Sequence, residues 1–432
     1  MLRFAISFVC LICFSACQAA ERLLTLSNDD EIPTHIYPAD GNTVLLWLPA
    51  EFGIGQRQFP VAEALAARGI EVWMPDFHSA WFLPIGRNSF DEVQPDTVRE
   101  LIEKILHESN KKLIILAAGR SVPLAMQAIR QWQIQAENNQ RLLGLIALNP
   151  MLSEDSVAAG EAIHFRSITS ASNVPLYVLQ PERFGGFWYS RELLQELYKS
   201  GAPVYLHWLP DGASGFYVRP LEEAEPEDLH YTERLPDLVL QSIRVFSWYD
   251  GTPNTVTSAD LSSSKNSTAK RTELLSESSS RPQAPALSLP SLNGKDINLA
   301  DHQQQVVLVN FWATWCPPCV EEIPSLQQLY SRFQDKGFQV LAVSVGESKQ
   351  KVQTFMQQHP VNFNVLLDQQ GELYRNWKVG AFPTSFVLDK QHRIRYAVFG
   401  AFDWNSDEVA AKIEALLAEQ AQSTTSNFIL PD

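Results

Sequence analysis

Two cysteines three residues apart, Cys316 and Cys319, sit in the stretch "FWATWCPPCVEEIP" (311–324). Thiols at that spacing can close a small disulfide and exchange it, or ligate a metal. A zinc site needs about four ligands. No second cysteine pair follows and His302, His359 and His392 are scattered, so the reading is redox chemistry with no metal. The remaining thiols, Cys10, Cys13 and Cys17, crowd the N-terminus, far from this pair.

The elements that must position the pair distinguish its two thiols. "VVLVNFWATW" (306–315) is a continuous apolar run ending in aromatics, which predicts a buried central strand, and "CPPCVEEIPSLQQLYSRF" (316–333) then opens a helix. Cys316 would stand at the helix N-terminus, where unpaired N–H groups and the macrodipole favour a thiolate, which makes it the nucleophile. Pro317 and Pro318 suit a first helical turn, since their missing donors would be unpaired anyway. Cys319, one turn in, is the resolving thiol. Pro324 predicts a kink.

At 432 residues the chain exceeds what one core organises, and it divides in two. Residues 251–285, "GTPNTVTSADLSSSKNSTAKRTELLSESSSRPQAP", are rich in Ser and Thr and lack aromatics, which predicts a disordered tether. It separates an N-terminal domain, 22–250, from a C-terminal one, 286–420, followed by a flexible tail, 421–432. The net charge of −15 argues against a nucleic-acid partner, because phosphate binding needs a basic surface.

Residues 1–20 read as a secretory signal: Arg3, an apolar run from Phe4 to Phe14, then small residues. "FSAC" resembles the lipobox of bacterial lipoproteins, with Phe14 where Leu is usual, which would place cleavage before a lipidated Cys17. Ordinary cleavage after Ala19 or Ala20 is the alternative.

In the N-terminal half, apolar runs at 43–49, 70–76, 112–118, 142–150, 174–180 and 203–210 alternate with helical patterns, which predicts an α/β domain with a parallel sheet covered on both faces. "FPVAEALAARGIEVWMPD" and "LAAGRSVPLA" resemble pieces of the α/β-hydrolases, with Ser121 at the nucleophile position. The likeness is degenerate. Pro123 replaces the second Gly of the nucleophile turn, the acid position offers Glu182, and Ser214 stands where the His belongs, with His207 and His230 in other contexts. Glu51 in "LPAEFGIG" would repel a developing oxyanion. The domain is expected to be non-catalytic, with Trp73, Trp81, Trp188 and Trp208 as candidate pocket aromatics.

The C-terminal half, from about Ala286 to Glu419, resembles the TlpA/ResA-type thiol-disulfide oxidoreductases of the thioredoxin superfamily, through "WCPPC", "PSLNGKDINLADHQQQVVLVNFW", "EEIP" and "VGAFPTSFVLDKQHRI". The resemblance implies a thioredoxin-like fold, a cis-proline at Pro383 that leaves backbone groups free for an extended substrate, and substrate contacts from Trp315, Phe382 and Thr384. Asn310 stands where general thioredoxins carry a strand Asp, and Glu322 matches the Glu that ResA-like proteins carry three residues after the second Cys, as a proton shuttle. The implied activity is reduction of disulfide-bonded envelope proteins on the periplasmic side of a bacterial membrane. It would need no cofactor beyond the Cys316–Cys319 disulfide, and re-reduction would come from a membrane carrier of the DsbD/CcdA kind. The alternatives are a redoxin-type thiol peroxidase and a hydrolase with an accessory redox domain.

Overall fold

The computed structural model describes residues 19–86, 89–90, 92–135, 140–154, 163–249, 253, 275–278 and 280–419. Cys17, most of the tether and the tail from 420 onward lie outside the described residues.

The six apolar runs of the N-terminal half are all strands: β3 (Thr43–Trp47), β4 (Ile70–Pro75), β5 (Lys112–Ala118), β6 (Leu142–Leu148), β7 (Leu176–Arg183) and β8 (Val204–Ala213). Two further strands, β1 (Ala20–Thr25) and β2 (Glu31–Tyr37), form an antiparallel pair at one edge, and β2 also runs antiparallel to β4. The sheet order is β1-β2-β4-β3-β5-β6-β7-β8, parallel from β4 to β8. Alternation along each strand divides its side chains between two cores. Val44 and Leu46 of β3 face the layer of α3 (Pro95–Glu108), α4 (Ser121–Gln135), α5 (Ser167–Ala171) and α6 (Ser190–Tyr198). Leu45 and Trp47 face that of α1 (Gln58–Ala66) and α7 (Pro226–Phe246). The short α2 (Phe77–Trp81) follows β4.

The C-terminal sheet has the order β14-β13-β12-β15-β16-β9. Its strands are β9 (Ser276–Glu277), β12 (Val306–Trp312), β13 (Phe338–Val345), β14 (Asn364–Asp368), β15 (Thr384–Leu388) and β16 (Ile394–Phe399), preceded by the hairpin of β10 (Ser288–Pro290) and β11 (Asp296–Asn298). Fully buried β12 lies between parallel β13 and antiparallel β15. The helices are α8 (Pro317–Phe333), α9 (Lys349–Gln358), α10 (Glu372–Asn376) and α11 (Asp407–Ala418). α8 runs on through Pro324 as one helix.

The tether ends earlier than its composition suggests. Leu275 is buried in the C-terminal core, β9 pairs with β16, and the Ala284 N–H donates to the His392 carbonyl. Backbone pairing needs no apolar side chains, so a Ser-rich segment with one anchoring Leu can still extend a sheet edge. The C-terminal domain therefore begins about ten residues before the expected 286.

Candidate active site

β12 delivers its chain to α8 through Ala313, Thr314 and Trp315, and Cys316 is the N-cap of that helix. The Cys316 carbonyl accepts the N–H of Cys319 at 2.9 Å and of Val320 at 3.1 Å, so the helix is wound from its first turn. Cys316 and Cys319 form a disulfide with their Cα atoms 5.3 Å apart. Cys316 keeps 5% exposure and Cys319 none, the order expected of attacking and resolving sulfurs.

Three residues after Cys319 on α8 lies a buried acid, Glu322. Val306, Leu308, Asn310 and Trp312 of β12 share one face by strand parity, and the apolar three join the core that holds the disulfide and α11. Asn310 Nδ2 donates to Glu322 Oε1 at 2.7 Å and to Ser385 Oγ at 2.9 Å. Glu322 Oε2 accepts Trp404 Nε1 at 3.3 Å. Burial raises the Glu322 carboxyl from 4.5 to about 7, against the opposing pull of hydrogen bonds from Asn310, Trp404 and the Phe402 backbone. Glu322 follows Cys319 by three residues and so lies on the same helix face.

Aromatics pack on the core that holds the disulfide. Trp315 meets Phe382 edge-on at 5.5 Å, and the Phe382–Pro383 peptide is cis. Thr384 is buried at the start of β15, opposite Phe311, with its hydroxyl donating to the Ala381 carbonyl. The turn into the helix is tied by a residue that sequence reasoning missed: Glu347, also buried, accepts the Thr314 N–H at 2.7 Å and its hydroxyl at 2.5 Å.

The matches to known proteins span about a third of this chain. The AhpC/TSA family model matches residues 281–397. The thiol-disulfide oxidoreductase ResA of Geobacillus thermodenitrificans is 32% identical over 133 residues, which are 31% of this chain and 75% of that protein. This chain belongs to the ResA-type thiol-disulfide oxidoreductases. ResA of Bacillus subtilis is 38% identical over 128 residues, 30% of this chain and 70% of that protein. Among solved structures, a putative thiol:disulfide interchange protein DsbE from Chlorobium tepidum matches 32% of this chain and 96% of its own, at 32% identity and a TM-score of 0.30. The ResA-type match leaves the N-terminal domain outside it.

Among the described residues of that domain no catalytic set comes together. Ser121 is fully buried at the start of α4, and its Oγ donates to the Ala118 carbonyl at 2.9 Å while accepting the Ala118 N–H at 3.0 Å. The Glu51 carboxylate lies over the same turn, accepting the Arg120 N–H at 3.1 Å, and a Cβ on Gly119 would collide with it. Burial raises the Glu51 carboxyl above its ordinary range, and its oxygens fill the space over the turn that an oxyanion would need. The triad-like positions scatter: Glu182 accepts the Asp211 N–H, His207 Nδ1 pairs with the Tyr177 hydroxyl at 3.1 Å, and His230 is exposed on α7. The four tryptophans do not share a pocket. Trp73 bonds Glu71, Trp81 bonds Asp30, Trp208 is half-exposed beside Phe187, and Trp188 packs on the C-terminal domain. A fluorophosphonate probe is therefore expected to leave the protein unlabelled. Ser121→Ala should cost about 1–2 kcal/mol of stability through its lost buried hydrogen bonds, with no ester hydrolysis to lose. Labelling abolished by Ser121→Ala would contradict this.

Among the described residues no cluster of three or more His, Cys, Asp or Glu could hold a metal ion, and no helix is long and apolar enough to cross a membrane.

Proposed function

We propose that the Cys316–Cys319 pair reduces disulfides in exported proteins, with Cys316 attacking, Cys319 resolving and Glu322 moving the proton. The observation that carries this reading is the buried Glu322 carboxyl, poised at about 7, on the helix face of the resolving cysteine. In the reduced protein the α8 N-terminus favours the Cys316 thiolate. That thiolate attacks one sulfur of a substrate disulfide, forming a Cys316–substrate bond and expelling the other sulfur as a thiolate, which takes a proton from solvent. Cys319 gives its proton to Glu322 and attacks the Cys316 sulfur. The Cys316–Cys319 bond forms, the second substrate thiolate leaves, and Glu322 can return the proton to it. The substrate gains two electrons from the protein dithiol and two protons, one from solvent and one that Cys319 gives up through Glu322. A group that titrates near neutral pH serves both as acceptor and as donor.

Trp315, Phe382, Pro383 and Thr384 are the proposed substrate contacts, a reading supported by the packing of Trp315 and Phe382 on the core that holds the disulfide. A dithiol carrier of the DsbD/CcdA kind would restore the reduced state. The test is insulin reduction by the protein after stoichiometric reduction of its disulfide. One insulin disulfide should be lost per protein oxidised, with no consumption of hydrogen peroxide; peroxide turnover without insulin reduction would favour the peroxidase alternative.

We further propose export to the periplasmic side of a bacterial envelope with a lipid on Cys17, supported by the apolar leader and "FSAC". The N-terminal domain is then a non-catalytic, α/β-hydrolase-like module. The mature protein is expected to sediment with membranes and take up labelled fatty acid, and Cys17→Ala to leave unprocessed precursor. A soluble mature chain beginning at Glu21 would refute the anchor.

A further inference from the structure

The two domains meet at a fitted contact beside the redox site. After β7 the chain makes a 3-10 turn, Gly185–Tyr189, that reaches into the C-terminal domain. Tyr189 is buried in that domain's core, its ring 6.0 Å from Tyr374. The Trp188 ring lies over two glycines: a Cβ on Gly346 would stand 2.9 Å from it and one on Gly371 2.7 Å. Arg375 covers the same ring at 5.5 Å. The fit is reciprocal, because a Cβ on Gly185 would stand 2.9 Å from the Tyr374 hydroxyl and 3.3 Å from the Ala381 Cα. That hydroxyl donates to the Gly185 carbonyl at 3.3 Å.

The contact reaches the loop whose Phe382 packs on the core that holds the disulfide. Gly185 abuts Ala381 and Gly380, and Ile163 packs on Gly380 from the same side. Tyr374 touches Phe382 at 5.0 Å, and Phe382 meets Trp315, the residue before Cys316. A polypeptide lying along Phe382 and Pro383 to reach Cys316 thus has the N-terminal domain as its neighbour on one side.

We propose that the N-terminal domain forms one bank of the substrate groove and slows exchange with disulfides set in compact proteins relative to those carried on extended or unfolded polypeptide. The proposal rests on the reading that Cys316 exchanges with protein disulfides. An extended segment is about 5 Å wide in its own plane and passes between the bank and the disulfide, whereas a compact protein meets the bank first. The bank holds its place by packing, since the Trp188 ring is seated on two glycines and the Tyr189 ring is buried against Tyr374.

The test uses the full chain, reduced, with Trp188→Ala and, separately, Ile163→Asp, which puts a charge against Gly380. Each is assayed against the small disulfide 5,5′-dithiobis(2-nitrobenzoate) and against insulin, a compact protein disulfide. Both variants are expected to raise kcat/KM for insulin at least about fivefold, mainly through KM, and to leave the small-disulfide rate within about twofold. An insulin rate that stays or falls, or two rates that rise together, would overturn the bank. Ile163 is a partly buried loop residue, so its variant keeps the test open if Trp188→Ala fails to fold. A wild-type protein inert toward both disulfides would sink the exchange reading itself and is thereby told apart from failure of this inference.

Discussion

Cys316→Ser is expected to lose disulfide exchange by on the order of a thousandfold or more, because no other thiolate can make the first attack. Cys319→Ser should behave differently. It keeps the first half-reaction, releasing one substrate thiolate per protein, but does not turn over, because nothing displaces the bound half. The asymmetry follows from the places of the two sulfurs: Cys316 is the N-cap of α8 and retains exposure, while Cys319 is sealed one turn below. In the reduced wild-type protein Cys316 should also be the faster to alkylate. Stopped-flow release of thiol from an aryl disulfide measures both half-reactions. Equal release of that first substrate thiol by the two serine variants would remove the division of labour.

The second large effect belongs to Glu322. Its carboxyl titrates near 7 in the folded protein against an ordinary 4.5, because burial opposes the charge. Below the lower value both folded and unfolded chains hold the proton. Between the two values only the folded chain does, so stability falls as pH rises, and above about 7 the full cost of the buried charge is present, roughly 3 kcal/mol. Glu322→Gln removes that titration. Its Nε2 must also face donors now aimed at a carboxylate, Asn310 Nδ2 and Trp404 Nε1, so its absolute stability mixes two effects. The pH dependence isolates one of them. Relative to wild type, the oxidised Gln variant should gain roughly 2–3 kcal/mol between pH 4.5 and pH 8.5 in denaturant unfolding. Its exchange rate should fall and lose the inflection near neutral pH. Parallel stability profiles would show that the carboxyl titrates at its ordinary value, and an unchanged pH–rate profile would take the proton from Glu322.

How much of this was legible from sequence depended on the span over which each feature is built. Asn310, Cys316, Cys319 and Glu322 lie within one strand–helix unit, whose apolar run and C-x-x-C read directly. Their partners do not. Ser385 and Trp404 complete the buried acid's surroundings from β15 and from the turn before α11, and Glu347 ties down Thr314 from the end of β13. Those contacts exist only once the sheet has formed. The same limit applies to the N-terminal strands. β3 to β7 are apolar runs buried on both faces and β8 is an apolar run at the far edge, whereas β1 is an exposed edge strand reading "AERLLT" and β2 carries Pro33, so neither shows a strand pattern. The domain contact is hidden for another reason. The Ser-rich tether suggests two independent bodies, and nothing in "FGGFWY" (184–189) tells that Trp188 rests on Gly346 and Gly371.

The account stands most directly on which sulfur holds the substrate. Cys319→Ser protein, reduced and mixed with a disulfide-bonded protein substrate, should accumulate a reducible covalent complex, and peptide mass spectrometry of that complex should join a substrate cysteine to Cys316. A complex that instead forms in Cys316→Ser, joined through Cys319, would contradict the account.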